Sequence, residues 1–436
     1  MRTGEGARAP GASPGRLART PFSSLRHRDY RIFWTGQALS TIGSQFTTVA
    51  TAWQLYELTD SALQVGLLGL ARGIPQITLL LFGGLLADAA DRRRVLMVTQ
   101  LGQFCVSASL AAFTLAGAVT PLVLYIATGF LAVFSSIENP ARQALVPNLV
   151  PRPELTNALA LNSTQRQMGQ IAGPSVAGLV LAFAGPALCY SVDAASWMVM
   201  LASLIAMGAR AQTGSGMRGI SLQALRDGLV FVWTHPVILS VMLLDSAVNL
   251  FGAPRALFPV YARDVRHVGP QGLGLLYTAS ALGALSAAVG MSTFAHVRRA
   301  GLGVIIGVIV FSICTALFGL SHVFWFSLLM LACEGAGNTG GAVLRQTINQ
   351  LNTPDELRGR VTSVNNVFTQ GGPQFGQFRS GVVAELTGPE FSAVAGGLAA
   401  LVVVLGVAAL VPAIRRYEIP SALHEEHGGA PAQAAV

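Results

Sequence analysis

The feature that most constrains this chain is a series of apolar stretches, each about as long as a helix that crosses a membrane. A hydrocarbon core about 30 Å thick is spanned by roughly 20 helical residues. Stretches of this kind run at about 30–57, 62–87, 95–117, 121–141, 155–183, 187–208, 236–261, 271–295, 301–319, 322–344, 360–386 and 390–414. The pattern predicts an all-α integral membrane protein with about twelve transmembrane helices, of which the fifth and eleventh are interrupted by polar residues.

Composition agrees with the length of these stretches. Only 11% of the residues are charged, 52% are hydrophobic, and the mean hydropathy is +0.56. A soluble domain carries roughly a quarter of its residues as charged side chains. This chain therefore has too little polar surface for a water-soluble fold.

The net charge of +8 comes from arginine, since all 28 basic residues are Arg. These arginines cluster at the ends of the apolar stretches, as in Arg92–Arg94 and Arg415–Arg416, and not on one soluble face. Such placement is typical of topology signals and not of nucleic-acid binding. Counting alternate junctions, one side collects most arginines and the other mainly Arg263 and Arg266, which predicts that both termini are cytoplasmic. The absence of Lys excludes a Walker A loop and with it ATP-driven transport by that route.

The sequence divides into five predicted regions. Residues 1–25 are polar and rich in Pro, Gly and Arg, which indicates a disordered cytoplasmic tail without a cleavable signal peptide. Two six-helix bundles follow at 26–208 and 236–416. A cytoplasmic linker at 209–235 joins them, and 417–436 form a second tail.

Four cysteines are scattered through the apolar stretches. They are Cys105, Cys189, Cys314 and Cys333, without CxxC spacing. We interpret them as small core residues and predict neither disulfides, nor a metal site, nor a cofactor.

The two predicted bundles repeat each other. One set of matches shares a single spacing: Arg142-Gln143 recurs as Arg345-Gln346, Gly178 as Gly381, and Gly185-Pro186 as Gly388-Pro389. A second set recurs at a slightly longer spacing: Gly66-Leu67, Gly84 and Arg92-Arg93 recur as Gly272-Leu273, Gly290 and Arg298-Arg299. Chance matching in a Gly-rich chain is the alternative. A parallel repeat predicts a pseudo-two-fold axis along the membrane normal, with a binding site between the halves near the midplane.

The linker contains one amphipathic stretch. Leu222, Leu225, Leu229 and Val232 fall on one helical stripe. We predict an interfacial helix anchored by Trp233.

The most specific motif lies at the cytoplasmic end of the second stretch, in Gly84-Leu-Leu-Ala-Asp88-Ala-Ala-Asp91-Arg92-Arg93-Arg94-Val-Leu96. It resembles the signature loop of the major facilitator superfamily, in which Gly, Asp and paired basic residues recur at this spacing. The resemblance implies the twelve-helix fold of that family and a gating loop. Ala89 and Asp91 depart from the family pattern, where Arg and Gly are usual.

The resemblance also implies roles within this loop. Gly84 would let a neighbouring helix approach closely. Asp88 would accept hydrogen bonds from a helix N-terminus of the other half and hold the cytoplasmic side shut. Arg92 and Arg93 would pair with carboxylates and dock the loop. A plain topology anchor is the alternative interpretation.

A second motif is Gly169-Gln-Ile-Ala-Gly173-Pro174-Ser-Val-Ala-Gly178. It resembles the antiporter motif of drug–proton exporters, which implies export. Small residues four apart also favour tight helix packing, and Pro174 favours a kink, so an ordinary packing motif remains open.

Further stretches narrow the resemblance, over about Phe22 to Arg416. Leu25-Arg-His-Arg-Asp-Tyr-Arg-Ile-Phe-Trp34, Glu138-Asn-Pro-Ala-Arg-Gln-Ala-Leu145 and Asp227-Gly-Leu-Val-Phe-Val-Trp-Thr-His-Pro236 resemble the branch that contains enterobactin exporters, macrolide efflux pumps and multidrug transporters. The acid of the fourth-span motif, usually Asp, is here Glu138.

Ionisable residues inside the apolar stretches are functional candidates, because each is costly to place in a membrane. The candidates for proton or substrate binding are Arg72, Glu138, Arg142, Arg166, Asp245 and Glu334. Glu334, Asp245 and Glu138 are the predicted proton carriers, whereas Arg72 and Arg166 either hold an anionic substrate or pair with these acids structurally. Arg142 follows Glu138 by four residues, on one helix face. Asp193 and Arg379, nearer the span ends, rank lower.

These observations predict a proton-coupled exporter of small amphipathic molecules such as drugs, macrolides or siderophores. It would work by alternating access, as a monomer in the bilayer of a bacterial inner membrane, with a small-molecule substrate and protons as partners and without nucleic acid. An importer or facilitator is one alternative. A membrane-embedded enzyme is another, but the seven histidines are dispersed, without a cluster of ligands or acid–base groups.

Overall fold

The computed structural model describes residues 22–82, 91–208, 222–252, 254–293, 299–354 and 357–419. Every regular element in these segments is helical, as the apolar stretches predict. Several predictions lie outside the described residues: the tails at 1–21 and 420–436, the loop residues Gly84 and Asp88, and 209–221 of the linker.

The first half of the molecule contains five helices. They are α1 (Arg28–Thr59), α2 (Ala62–Phe82), α3 (Arg92–Leu115), α4 (Pro121–Leu145) and α5 (Leu155–Ala206). Helix α5 has two arms, because Gly185 takes a non-helical conformation (φ 74°, ψ 179°) immediately before Pro186. A residue before proline is disfavoured in the helical region, and glycine reaches positive φ without a Cβ clash.

The second half begins with the linker helix. Its elements are α6 (Leu222–Thr234), α7 (Pro236–Phe251), α8 (Gly269–Thr293), α9 (Ala300–Leu320), α10 (Phe324–Asn352), α11 (Arg358–Thr387) and α12 (Pro389–Leu410). Proline occupies the first turn of α4, α7 and α12, where its missing N–H leaves no bond unmade.

A short turn precedes α1. Ser23–Arg26 form a 3-10 turn. The Ser24 hydroxyl donates to Asn157 Oδ1 at 2.7 Å, which fastens this turn to the start of α5.

Seven helical stretches of the described residues are long and apolar enough to cross a membrane: Arg92–Leu115, Pro121–Asn148, Arg152–Ala206, Pro236–Val265, Gly269–Met291, Ala300–Leu320 and Pro389–Leu410. Large apolar side chains such as Phe183, Leu386 and Leu410 are almost fully exposed. Apolar exposure on this scale suits lipid and not water. The chain is therefore a multi-pass membrane protein.

The Gly-Pro repeat has the same geometry in both halves. Gly185 and Gly388 both take positive φ (74° and 95°), and each precedes the proline that starts the next helical segment. This correspondence is what a duplicated bundle requires.

The helices run between two ends of the molecule. We call the end that holds Arg28 and Leu410 the terminal end, and the opposite end, at the α1–α2 and α11–α12 junctions, the distal end. The halves meet at the distal end through two pairs of helices, α2 with α11 and α5 with α8. A Cβ on Gly66 would lie 2.9 Å from the Gly381 Cα, and a Cβ on Gly178 would clash with the Gly274 backbone. The glycines therefore allow the halves to touch backbone to backbone.

The linker helix α6 packs on the second half through Val232, next to Ile238 and Val361. Leu229 and Trp233 face outwards, with exposed fractions of 42% and 67%. The predicted stripe is thus divided between two faces, and the side chains of its other two leucines lie outside the described residues. The exposed tryptophan fits the predicted interfacial anchor.

Candidate transport site

A polar cluster lies inside the first half, between α1, α3 and α4. Arg142 Nη1 lies 3.2 Å from Glu138 Oε1, and Gln103 Nε2 donates to Glu138 Oε2 at 2.8 Å. With its amide oxygen turned toward the guanidinium, Gln37 accepts from Arg142 Nε and Nη1 at 3.0 Å each. The pair predicted from the four-residue spacing is therefore present and is held on both sides by glutamines.

Arg166 on α5 lies within electrostatic range of Arg142. Glu138 has Arg142 as its ion-pair partner. Two like charges at one end of this cluster favour an anion between them. Arg142 is therefore the ion-pair partner of Glu138, and a substrate role for Arg166 stays a prediction.

A second ion pair lies in the other half. Arg345 Nε on α10 is 3.0 Å from Asp245 Oδ1 on α7, and Asn249 donates to Asp245 Oδ2 at 3.1 Å. Arg345 is the repeat counterpart of Arg142. The sequence placed Asp245 among the proton carriers without naming this partner, although the Arg-Gln repeat already marked the position.

Glu334 belongs to a third network. Its Oε2 accepts a hydrogen bond of 3.0 Å from the Ser280 hydroxyl on α8, and Ser280 Oγ in turn accepts from Arg255 Nη2 at 2.8 Å. Glu334 is buried, whereas Arg255 is exposed. A chain of polar groups therefore leads from an acid inside the second half to accessible space.

Arg72 of the first half approaches this network from across the interface. Both Arg72 and Arg255 lie within electrostatic range of the Tyr277 hydroxyl on α8. The site combines two guanidinium groups, one phenol and one buried carboxyl group, drawn from both halves. Such a site is suited to an anionic, partly aromatic molecule.

Sequence reasoning missed Arg255. The residue lies within the predicted stretch 236–261 but was not singled out there, and the structure places it just after the end of α7. The Gly252-Ala-Pro-Arg stretch was a usable signal, because Gly and Pro together indicate a break in a helix.

The distal end carries a set of polar contacts between the halves, which we call the distal latch. Arg263 Nη1 lies 2.7 Å from Asp60 Oδ1, and the Tyr56 hydroxyl donates to Asp264 Oδ2. The Ser61 hydroxyl donates to Glu385 Oε2 at 2.9 Å. Three contacts thus join Tyr56, Asp60 and Ser61 to Arg263, Asp264 and Glu385.

Arg266 lies beside the latch and is buried. It donates to the Phe318 carbonyl at 3.2 Å and stands 5.5 Å from the centre of the Tyr261 ring. Burial lowers the pKa of Arg266 from its ordinary value. Its contacts stay within the second half, so it supports the latch without being part of it.

Asp193, ranked low from its sequence position, is fully buried in the first half. Its Oδ2 accepts hydrogen bonds from the hydroxyls of Thr47 at 2.6 Å and Ser107 at 2.7 Å. These donors come from α1 and α3. The carboxyl group therefore ties the second arm of α5 to two neighbouring helices.

The antiporter-like motif lies against two different surfaces. A Cβ on Gly169 would lie 2.7 Å from Thr41 Cγ2, and a Cβ on Gly173 would press on Gln45, so both glycines serve close packing on α1. Gly178 instead touches α8 of the other half. Pro174 lies between these surfaces, inside the helical first arm of α5.

The described part of the signature loop docks on helix ends. Asp91 caps α3 by accepting from the Arg93 N–H at 2.9 Å. Arg92 donates to the Ala144 carbonyl at 2.9 Å, and Arg93 donates to the Leu204 carbonyl at 3.0 Å. Among the described residues, these arginines contact helix C-termini, whose partial negative charge attracts cations, and their pairing with carboxylates stays a prediction.

Among the described residues, no group of three or more His, Cys, Asp or Glu side chains is placed to hold a metal ion. The four cysteines are free.

Comparison with known proteins identifies the relatives of this architecture. Residues 19–429 match the family model described as transmembrane secretion effector. The chain is 27% identical over 401 residues to an enterobactin exporter of Citrobacter koseri, covering 90% of this chain and 94% of the relative, and 27% identical over 398 residues to one of Shigella boydii, with the same coverage. The family and these relatives are transporters and not enzymes.

Solved structures share the fold at low identity. A bacterial homologue of the iron transporter ferroportin, in an inward-facing state, superposes with a TM-score of 0.68 at 17% identity, over 88% of this chain and 99% of that one. A bacterial homologue of the lysosomal transporter Spinster gives 0.65 at 13% identity, over 93% and 97%. Identity at this level establishes the fold alone.

Proposed function

Because this chain belongs to the transmembrane secretion effector family of the major facilitator superfamily, as its motifs predicted, we propose that it is a proton-coupled exporter of small anionic amphipathic molecules. The proposal rests on one observation: Arg72 of the first half and Arg255 of the second both lie within electrostatic range of Tyr277, and Arg255 reaches Glu334 through Ser280. Groups drawn from both halves are what a site exposed alternately to the two membrane faces needs. Membership of the family supports transport, and the enterobactin exporters among its relatives support export.

The proposal includes the predicted topology. Twelve spans result if the two arms of α5 each cross the membrane and α7 continues to Val265. The Arg-rich terminal end then faces the cytoplasm, and the distal end faces outwards. In this conformation the halves touch at the distal end, which suits a state whose site is reached from the cytoplasm. A monomer contains the complete site.

The substrate class follows from the charges at the site. Arg72 and Arg255 both lie near Tyr277, and Arg255 reaches the buried acid Glu334 through Ser280. Two guanidinium groups and one carboxyl group give the site an excess of positive charge, which attracts carboxylate or catecholate oxygens. Tyr277 adds an aromatic surface, with its ring 5.0 Å from that of Phe258. Catecholate siderophores, which combine acidic oxygens with aromatic rings, fit these features.

Proton coupling is assigned to Glu334. The Ser280 hydroxyl donates to this carboxyl group, and Arg255 is its nearby cation. A proton taken up from the outside would neutralise Glu334 and weaken its attraction for Arg255. Substrate release outwards and proton release inwards would then alternate, as the two halves rock about the site.

The test uses proteoliposomes containing purified protein and a catecholate siderophore. Protein molecules inserted with their terminal end outside would move the siderophore into the liposomes. We expect this uptake to require an imposed pH gradient with an acidic interior. Glu334→Gln should keep siderophore binding and lose the response to the gradient, whereas Arg72→Gln should raise the Kd about tenfold or more. Transport that persists unchanged after a protonophore collapses the gradient would rule out proton coupling. An unchanged Kd for the siderophore in Arg72→Gln would rule out the assigned binding site.

A further inference from the structure

The seventh span is built in two pieces. Helix α7 ends at Phe251, and after Gly252 the chain continues as a 3-10 turn (Pro254–Leu257), a single helical turn (Phe258–Val260) and a π-turn (Tyr261–Val265). We call residues 254–265 the distal arm. Arg379 on α11 donates to the carbonyls of Leu250 at 3.0 Å and Phe251 at 2.8 Å. The last carbonyl groups of α7 therefore have a hydrogen-bond donor outside the helix, and the break after α7 is stabilised by specific contacts.

One end of the distal arm is joined to the candidate site. Arg255 donates to Ser280, which donates to Glu334. The sulfur groups of Cys314 on α9 and Cys333 on α10 also lie near Glu334. Arg255 is the cation that acts electrostatically on this acid, whereas Arg72 acts on Tyr277.

The other end of the distal arm carries the second-half side of the latch. Arg263 lies 2.7 Å from Asp60, and Asp264 accepts from the Tyr56 hydroxyl. Asp264 follows Arg255 by nine residues. One short segment therefore holds both the residue that contacts Glu334 through Ser280 and the residues that close the distal end.

The middle of the arm is packed against α9. Phe258 and Tyr261 are fully buried, and their rings lie 6.0 Å and 4.5 Å from that of Phe318. Packed elements of this kind shift between discrete positions and do not bend continuously. A change in the position of Arg255 is therefore passed to Arg263 and Asp264.

We propose that the distal arm couples the charge of Glu334 to the distal latch, with Arg255 as the positioning residue. While Glu334 is charged, Arg255 is drawn toward Ser280 and Glu334, and the arm holds the latch shut. When Glu334 is neutral, Arg255 is released, the arm shifts about its junction at Gly252, and the latch loosens. The place of this coupling in a transport cycle rests on the proposed function, but the coupling itself is a property of the folded chain.

The test measures opening of the distal end without any transported substrate. Ala62, buried where α2 meets α11, is replaced by cysteine in a chain whose four native cysteines are alanine. The rate of maleimide labelling of the Ala62→Cys protein in detergent then reports how often the halves separate. We expect Glu334→Gln and Arg255→Gln each to raise this rate about fivefold or more, and Arg255→Lys to raise it less, because the charge is retained.

Two comparisons separate coupling from general loosening. The double variant Glu334→Gln/Arg255→Gln should label no faster than either single variant, because both act through one link. Asp193→Asn is the matched control, since it also neutralises a buried acid but in the other half, and should leave the rate unchanged. Ser280→Ala removes only the bridging hydroxyl and should also raise the labelling rate. This variant replaces the charge variants in the test if those do not remain monodisperse.

The coupling is wrong if Glu334→Gln and Ser280→Ala label at the wild-type rate, or if the two single effects multiply in the double variant. An equal rise in Asp193→Asn would also overturn it. The labelling experiment contains no substrate and no pH gradient, so a negative result does not contradict the proposed export. Conversely, a variant without transport activity can still show the coupling.

Discussion

Arg345 Nε on α10 lies 3.0 Å from Asp245 Oδ1 on α7, and this ion pair is the counterpart of the contact between Arg142 and Gln37 in the first half. In both halves an arginine at the same repeat position on the fourth span reaches the first span. The first half adds its acid, Glu138, on the arginine's own helix. In the second half the acid, Asp245, lies on the facing helix α7. The arginine is therefore common to both halves, whereas the acid differs in position.

Asp245→Ala should destabilise the protein, because Arg345 is almost completely buried and would lose its only ion-pair partner among the described residues. Removing one member of a buried pair costs about 3 kcal/mol of unfolding free energy. The double variant Asp245→Ala/Arg345→Met should recover most of that loss, since no uncompensated charge remains. Unfolding in mixed micelles measures both, and a double variant no more stable than Asp245→Ala would show that the pair is not the source of the loss.

Gly178→Val should prevent the halves from closing at the distal end, because a Cβ at this position meets the Gly274 backbone and backbone cannot rotate away. We expect folded protein with transport reduced about tenfold or more and faster labelling of a cysteine at position 62. Gly406→Ala on α12 is the control, because no heavy atom lies within 4 Å of the added Cβ. Normal transport by Gly178→Val would contradict the role of this contact.

The sequence predicted the fold well where the signal was local or repeated. Run lengths predicted the helices, and the repeated Gly-Pro pairs predicted two breaks that share positive φ at Gly185 and Gly388. The Glu138–Arg142 pair followed from helical spacing alone. In each case the neighbours that matter are close in sequence or related by the duplication, so no knowledge of packing was needed.

Contacts between distant segments were not predictable in the same way. Arg255 contacts a site whose acid lies 79 residues away, and Arg92 reaches a carbonyl oxygen, which any residue type supplies. Partners of this kind leave no signature in residue identity. An arginine near a helix C-terminus is stabilised by main-chain dipoles, which residue identity does not encode.

Tyr56→Phe should loosen the distal latch more than Asp60→Asn does. The Asp60–Arg263 pair is exposed, at 69% and 37%, and exposed ion pairs contribute between about 0 and 1 kcal/mol. Tyr56 is buried, and its hydroxyl bond to a carboxylate is charge-assisted, worth about 1.5–3 kcal/mol. Labelling of a cysteine at position 62 should therefore rise about tenfold in Tyr56→Phe and at most about fivefold in Asp60→Asn.

Raised salt provides the check on this ranking. It should weaken the exposed pair, which joins two charges, more than the part-buried bond from the neutral Tyr56 hydroxyl to Asp264. If the labelling rate of the wild-type chain rises steeply with salt, the ranking is wrong. The Asp60–Arg263 pair would then be the contact that contributes most to closing the distal end.

Asp193→Ala should lower stability, whereas Asp193→Asn should be tolerated, because the structural role of this residue is to accept hydrogen bonds. In the alanine variant the hydroxyls of Thr47 and Ser107 lose their acceptor inside the bundle, at a cost of about 1–3 kcal/mol each. The asparagine variant keeps an acceptor oxygen and removes only the charge. Thermal unfolding in detergent should therefore separate the two variants clearly, and proteoliposomes with the asparagine variant should retain the response to a pH gradient. Loss of that response in a stable Asp193→Asn protein would instead make Asp193 a proton-binding group and move part of the coupling into the first half.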